Sequence, residues 1–395
     1  MTAPTSNVPQ FASALAVDGD WQQCVDSAVA EVHSRLSGGA NVAFAFISAQ
    51  LGRHADAIAA RLVEQLGTEL VIGCTAESLL GVGREVEFEP GISLLAGVLP
   101  AATLTPMHLM FERTPDGGSI VGWPDELMEA WPHDAALIVL GDPYTFPADL
   151  LLERLNVDRP GVPVVGGMAS GAARPGDSRL ILGRNSLAEG AVAVLIHGIK
   201  SHTVVSQGCR PIGRHFVITK AERNVIQELG GKPALSQLKD VFESLPNREQ
   251  AMVQESLHLG RVVSEYQDTF GQGDFLVRNV MGVDQQSGAI VVGDYMRPGQ
   301  TVQFHVRDAE TADDEMRQLL AQLKSQPDIA PAGALLFTCN GRGTRLFPKP
   351  HHDAELVRDA FGELPIAGFF AQGELGPVSG ENFVHGFTAS LVIFQ

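Results

Sequence analysis

The sequence predicts an α/β protein of the α+β kind, with mixed β-sheets, packed helices and two domains containing internally repeated units. Three observations carry this expectation. First, one pattern occurs three times: an apolar run, a polar loop, a helix-like stretch, a short apolar stretch into glycine, and a final apolar run. The copies run from 42–47 through 71–75 to 91–98, from 136–141 through 163–168 to 190–196, and from 334–339 through 365–370 to 386–393. The pivotal glycines Gly73, Gly166 and Gly368 lie 31, 30 and 34 residues after the start of their copies. Second, strand-like runs alternate with stretches of helical period. Third, several neighbouring strands are joined by turns too short for a parallel crossover, which argues for mixed sheets over a fully parallel one.

Taken in order, residues 1–18 read as a disordered or loosely ordered polar lead-in. Cys24, Ala28, Val32 and Leu36 recur at helical spacing and predict a helix over 21–36. Ile58, Leu62 and Leu66 predict a second over 54–66. Residues 91–99 and 103–111 read as consecutive strands joined by a Pro-Ala-Ala turn. A helix over 149–155 serves the second copy, and 202–208 is a further strand ending in the segment Ser206-Gln-Gly-Cys-Arg-Pro-Ile-Gly213. Beyond residue 220 the texture changes. Leu235, Leu238, Val241, Phe242 and Leu245 give an amphipathic helix over 233–245, followed by mixed polar sequence over 248–259. Strands are expected over 275–283, 289–295 and 301–306, then a helix over 312–323 with Thr311 and Asp314 as its capping arrangement. At 395 residues the chain exceeds one usual core, and the expected division is 19–220 and 221–395.

Composition narrows the function classes. A formal net charge of −18 disfavours nucleic acid and anionic membrane surfaces, which need basic patches. Cys24, Cys74, Cys209 and Cys339 are widely spaced, so neither a zinc site nor a disulfide framework is expected, and a reducing cytoplasm is. No signal-peptide pattern opens the chain, and the apolar run 191–196 is too short to cross a bilayer. No dinucleotide or phosphate-loop glycine motif is present.

The candidate ligand contacts gather in the third copy. In Cys339-Asn340-Gly341-Arg342-Gly343, two glycines after a strand let the backbone turn and expose N–H groups, while Arg342 offers a planar fork to a carboxylate or phosphate. Gln372-Gly373-Glu374 follows the pivotal glycine of the same copy, and Glu374 is expected to meet Arg342 across one pocket, orienting it or accepting from an ammonium. Arg210, between Cys209 and Pro211, reads equally as an anion contact or as a structural partner of a carboxylate. Cys339 as a nucleophile would make the protein a thiol-dependent enzyme, but no Cys/His spacing of a known kind accompanies it. His197 or His202 is the alternative: an axial haem ligand facing an apolar cavity. No metal site is expected.

At these residues the chain resembles the FIST family, with its N-terminal and C-terminal domains both present. The matching pieces are Ile72-Gly-Cys-Thr75, Gly190-Ala-Val-Ala-Val194, the segment 206–213, Cys339-Asn-Gly-Arg-Gly343 and Ala367-Gly-Phe-Phe-Ala-Gln-Gly-Glu374, spread over roughly residues 40 to 395. The resemblance implies a non-enzymatic sensory module of intracellular signal transduction that binds a small ligand such as an amino acid. Relatives that bind haem and report nitric oxide to a partner histidine kinase supply the alternative function. With no kinase, cyclase, receiver or F-box segment in the sequence, the output is expected to pass through a separate signalling protein.

Overall fold

The computed structural model describes residues 8–395 apart from positions 116, 130, 267, 268 and 272. The helices are α1 (Trp21–Arg35), α2 (Ala55–Leu66), α3 (Ala148–Asp158), α4 (Ala234–Ser244), α5 (Asn247–Glu255), α6 (Ala309–Lys324) and α7 (His352–Phe361). Together with mixed sheets they make an α+β protein, as the sequence predicts. The chain divides into two compact units. One holds residues 1–205, 317–384 and 388–395; the other holds 206–316 and 385–387.

In the larger unit, three strand trios have one order. Val42–Ser48, Ala136–Gly141 and Gly333–Cys339 each pair in parallel with the strand beyond their helix: Val71–Ala76, Val164–Met168 and Ile366–Ala371. Each also pairs antiparallel with a closing strand, Gly91–Val98, Ala191–His197 or Thr388–Phe394. The pivotal glycines sit opposite Ala45, Val139 and Leu336. A Cβ on Gly73, Gly166 or Gly368 would lie 1.8 Å from the carbonyl oxygen of that opposite residue. Only glycine tolerates so close a backbone approach.

Each trio is extended by a hairpin from a different part of the chain. Ser78–Gly81 and Arg84–Glu87 add to Ile366–Ala371, with Leu80 opposite Gly368. Leu180–Leu182 and Asn185–Leu187 add to Val71–Ala76. Glu374–Val378 adds to Val164–Met168, with Leu375 opposite Gly166, and continues to Glu381–His385. The sheets share a core in which Phe46, Phe337 and Phe369 pack with ring centroids 4.9 to 6.0 Å apart.

The smaller unit is an antiparallel barrel. Its order runs Cys209–Glu222, Thr301–Arg307, Leu257–Val262, Phe275–Asp284, Ala289–Val292 and Val225–Leu229, and the last pairs back onto the first. Phe216, Leu259, Val302 and Phe304 are buried in its core with Leu235 and Val241 of α4. Closure leaves no free edge in this ring of strands.

Two expectations change. Residues 1–7 lie outside the described residues, but Gln10–Val17 is an eight-residue strand antiparallel to Gly91–Val98, not a loose lead-in. The strands Gly91–Val98 and Thr103–Glu112 follow one another as the sequence predicts, and they enter different sheets: the first is almost wholly buried, whereas the second alternates. Helix α6 begins at Ala309, and its cap is Asp308, not Thr311. Asp308 Oδ1 accepts from the Glu310 N–H at 3.2 Å, and Oδ2 accepts from the Thr311 hydroxyl at 3.0 Å. The compact units follow contacts and not chain order, because the third trio pairs with the hairpin after the first and its own hairpin pairs with the second trio.

The 1.8 Å approach makes a prediction. Gly368→Ala should lower stability by at least about 3 kcal/mol, since two buried strands must part. Gly39→Ala, where the added carbon meets nothing within 4 Å, should stay within about 0.5 kcal/mol. Chemical denaturation of both variants checks the contrast, and equal effects would contradict it.

Candidate ligand-binding site

Gly333–Cys339 is buried along almost its whole length and delivers Cys339 half-buried at the strand end. The chain turns through Asn340 and Gly341 and enters a short 3-10 turn, Gly343–Arg345. Gly343 has φ +57°, and a Cβ there would strike Phe370 and Glu87 at 2.7 and 2.8 Å. The turn drives Arg342 inward until it is fully buried.

There it meets Asp353 in the first turn of α7. The pair is bidentate, Nε to Oδ2 and Nη2 to Oδ1, both at 2.7 Å. The Thr338 hydroxyl also donates to Asp353 Oδ2, and His352 Nδ1 lies 3.0 Å from Oδ1. Phe347 closes the cluster: its ring lies 3.4 Å from His352, nearly parallel, and 5.2 Å from the Arg342 guanidinium carbon. Burial alone would push the Asp353 carboxyl up. The charge and hydrogen bonds of Arg342, with His352, outweigh it and hold the group well below the usual carboxylate range.

A second carboxylate anchors the start of α7. Glu85 Oε1 accepts from the N–H groups of Asp353 and Ala354 at 2.9 and 3.2 Å, an acid at a helix N-terminus. Burial, then the charge of Asp353, raises Glu85 to about 8. Two more acids of the first trio hold the turn from outside. Glu87 accepts from the Thr344 N–H and hydroxyl at 2.9 and 2.6 Å, and Glu77 takes Arg345 at 2.9 and 3.1 Å.

The neighbouring loop completes the cluster. The Asn340 N–H donates to the Ala371 carbonyl at 2.9 Å, joining the two loops. Gln372 is exposed and donates its N–H to Met168 O at 3.0 Å; Gly373 O accepts from Met168 N at 2.9 Å. Glu374 is fully buried. Its Oε2 accepts from the Thr388 N–H at 3.2 Å and hydroxyl at 2.8 Å, while Oε1 finds no hydrogen-bond partner among the described residues. Burial raises its carboxyl to about 8 against the opposing pull of Thr388, the Cys339 thiol and the charge of Arg342. Asn340 Oδ1 is likewise buried without a partner.

Cys339, Asn340, Gly341, Arg342, Gly343, Gln372, Gly373 and Glu374 thus come together in one loop cluster. Arg342 differs from expectation in its role. Its fork grips Asp353, so an anion would have to displace a buried carboxylate. Arg210 belongs to the barrel unit, where it pairs with Asp308 and Glu249, each at 3.1 Å. Asp353 and Glu85 went unread in the sequence. Asp353 shares the face of Leu356 and Val357 by three- and four-residue spacing, and that signal marks it for burial. His197 ends its strand half-buried, and His202 Nε2 lies 3.2 Å from Gln395 Oε1. A cavity of about 280 Å3 near their loop is lined by neither histidine. At that size it falls below the roughly 300–1,000 Å3 of drug-sized ligand sites and does not fit a porphyrin.

Two outcomes follow from these charges. Asp353→Asn should destabilise by about 3–5 kcal/mol in urea denaturation, and Arg342→Met with Asp353→Leu should recover most of the loss. Glu374 has a folded-state value raised above its unfolded one, so its cost to stability grows as pH rises from about 4.5 towards 8. Glu374→Gln should therefore gain on the wild type between pH 5 and pH 8; a constant difference would contradict the assignment.

Comparison with known proteins places this geometry in a family. The FIST N domain model matches residues 41–232, and the FIST C domain model matches residues 234–377. An uncharacterized Mycobacterium tuberculosis protein is 46% identical over 325 residues, 82% of this chain and 83% of the relative. An uncharacterized Mycobacterium bovis protein is 39% identical over 378 residues, 95% and 96% of the two chains. An Arabidopsis thaliana F-box/LRR-repeat protein is 23% identical over 216 residues, 51% of this chain and 39% of its own. With its loops, buried acids and strand trios lying across both matched segments, the chain belongs to the FIST family.

Proposed function

We propose that the protein is a small-ligand-binding sensory module of signal transduction, acting in the cytoplasm without catalytic turnover and reporting to a separate signalling protein such as a histidine kinase. Family membership supports the sensory reading. Among the described residues, no helix is long and apolar enough to cross a membrane. The observation that carries the site is the fully buried Glu374 carboxyl, with Oε1 unpartnered, beside the half-buried Cys339, Asn340 and Gly341.

The ligand contacts in this reading are Cys339, Asn340, Gly341, Gln372, Gly373 and Glu374, with Arg342 and Gly343 shaping the loop. Asn340 Oδ1 is an acceptor, and Glu374 Oε1 becomes one once its proton leaves, so the ligand presents N–H donors. An amino acid offers these through its ammonium. Arg210 lies outside this set, and neither haem through His197 or His202 nor covalent chemistry at Cys339 draws comparable support.

An ammonium beside Glu374 favours the carboxylate and expels its proton. Calorimetric titration of a panel of the twenty amino acids, in phosphate and in Tris at pH 7, should find a binder that releases close to one proton per site. Glu374→Gln should abolish the buffer dependence. Buffer-independent binding by the wild type would remove Glu374 from the site, and no binding across the panel would remove the amino-acid reading.

A further inference from the structure

The second trio carries a separate cavity of about 520 Å3, bounded by Ser119–Val121, the 3-10 turn Asp125–Leu127 and helix α3. Its volume lies within the range of small-molecule sites. Trp123 and Trp131 stand on it with ring centroids 5.8 Å apart and planes inclined by 48°. Both rings are half-buried, and Leu151 and Leu155 of α3 supply apolar surface from the core. The indole N–H groups are already used: Trp123 donates to Ile120 O at 3.2 Å and Trp131 to Leu127 O at 2.9 Å. The rings therefore offer faces and edges to a guest, not hydrogen bonds.

Charge in the cavity is lopsided. Arg154 and Arg159 line it against the one carboxylate of Asp158, which Arg154 already engages at 2.5 Å. The Arg159 guanidinium lies 5.5 Å from the Trp131 ring centroid. Its Nη1 donates to Asp158 O at 2.8 Å and its Nη2 to Glu129 O at 2.6 Å, whereas Nε is buried without an acceptor among the described residues. The guanidinium lines the cavity, and a charge-assisted hydrogen bond to an incoming oxygen is stronger than a neutral one.

We propose that this cavity is a second small-molecule site, taking a flat aromatic organic anion whose ring packs against Trp123 and Trp131 and whose carboxylate accepts from Arg159. The two indoles supply stacking surface, and the excess of guanidinium over carboxylate selects the sign of the guest. The site stands independently of the loop cluster around Glu374.

Tryptophan fluorescence reads the site directly, because two of the three tryptophans in the chain line it. The third, Trp21, stacks on His54 in α1 and serves as a control. Titration with 2-naphthoate should quench emission saturably with one-to-one stoichiometry, and 1-naphthylmethylamine should bind at least tenfold more weakly. Ile120→Phe, which fills the cavity, and Arg159→Met should each weaken naphthoate at least tenfold, and Trp21→Phe should leave it unchanged. Should Ile120→Phe fail to fold, loss of the quenched signal in Trp123→Phe or Trp131→Phe makes the same test. Absence of saturable quenching, equal binding of the amine, or full affinity in Arg159→Met would overturn the proposal. A cavity that binds neither probe but is covered in a purified complex with another protein would overturn it equally.

Discussion

The larger unit depends on backbones that approach closer than any side chain allows. At Gly73, Gly166 and Gly368 a carbonyl oxygen of the parallel neighbour occupies the place of a Cβ. Gly166 has φ +154°, reachable without strain only by glycine. Just beyond Gly73 and Gly368 the chain leaves its own trio for another sheet, in the hairpins that begin at Ser78 and Glu374. Close approach and departure are linked, since hairpin residues pair directly opposite two of these glycines: Leu80 with Gly368 and Leu375 with Gly166. Glycine therefore admits two neighbours, one on each side, to the same stretch of strand.

That exchange sets the position of every charge in the candidate site. The hairpin beginning at Ser78 brings Glu85 and Glu87 against the third trio, and Glu77 precedes it. Three acids from one end of the sequence thus hold a basic turn and a helix start more than 250 residues away. The arrangement spends both Arg342 and Arg345 on internal carboxylates. In a chain of net charge −18, the basic groups nearest the loop are consumed as structural fasteners. Neutral or cationic donors then suit the remaining acceptors better than an anion does.

Much of this was legible in sequence, and the exceptions share a cause. Helices α1, α2 and α4 announce themselves by period, and the apolar runs of the three copies fall on the buried strands. The loop Cys339–Gly343 and Glu374 stand out because glycine and charge interrupt an apolar context. Gln10–Val17 did not, since its pairing with Gly91–Val98 is non-local and its own sequence mixes serine with alanine. The partner of Arg342 was missed for a similar reason. Asp353 lies in a His-His-Asp stretch that reads as solvent-facing, and only its three- and four-residue relation to Leu356 and Val357 turns it inward. Pairing across sheets leaves no periodic trace, so the division into compact units was also hidden.

The asymmetry among the three post-glycine segments locates the adaptable part of the scaffold. After Gly73, Glu77 leaves the core and is neutralised by Arg345. After Gly166, Ser170 is buried, its hydroxyl donating to Phe370 O and accepting from the Glu77 N–H. Both residues have complete partners. After Gly368, Glu374 is buried deeper than Glu77 yet keeps one oxygen unsatisfied, and burial suppresses its charge. A fold that satisfies the first two positions and not the third keeps a proton there near neutral pH. The groups that favour the charged form of Glu374 against burial are Thr388, Cys339 and Arg342. Arg342 in turn is gripped by Asp353 in the first turn of α7.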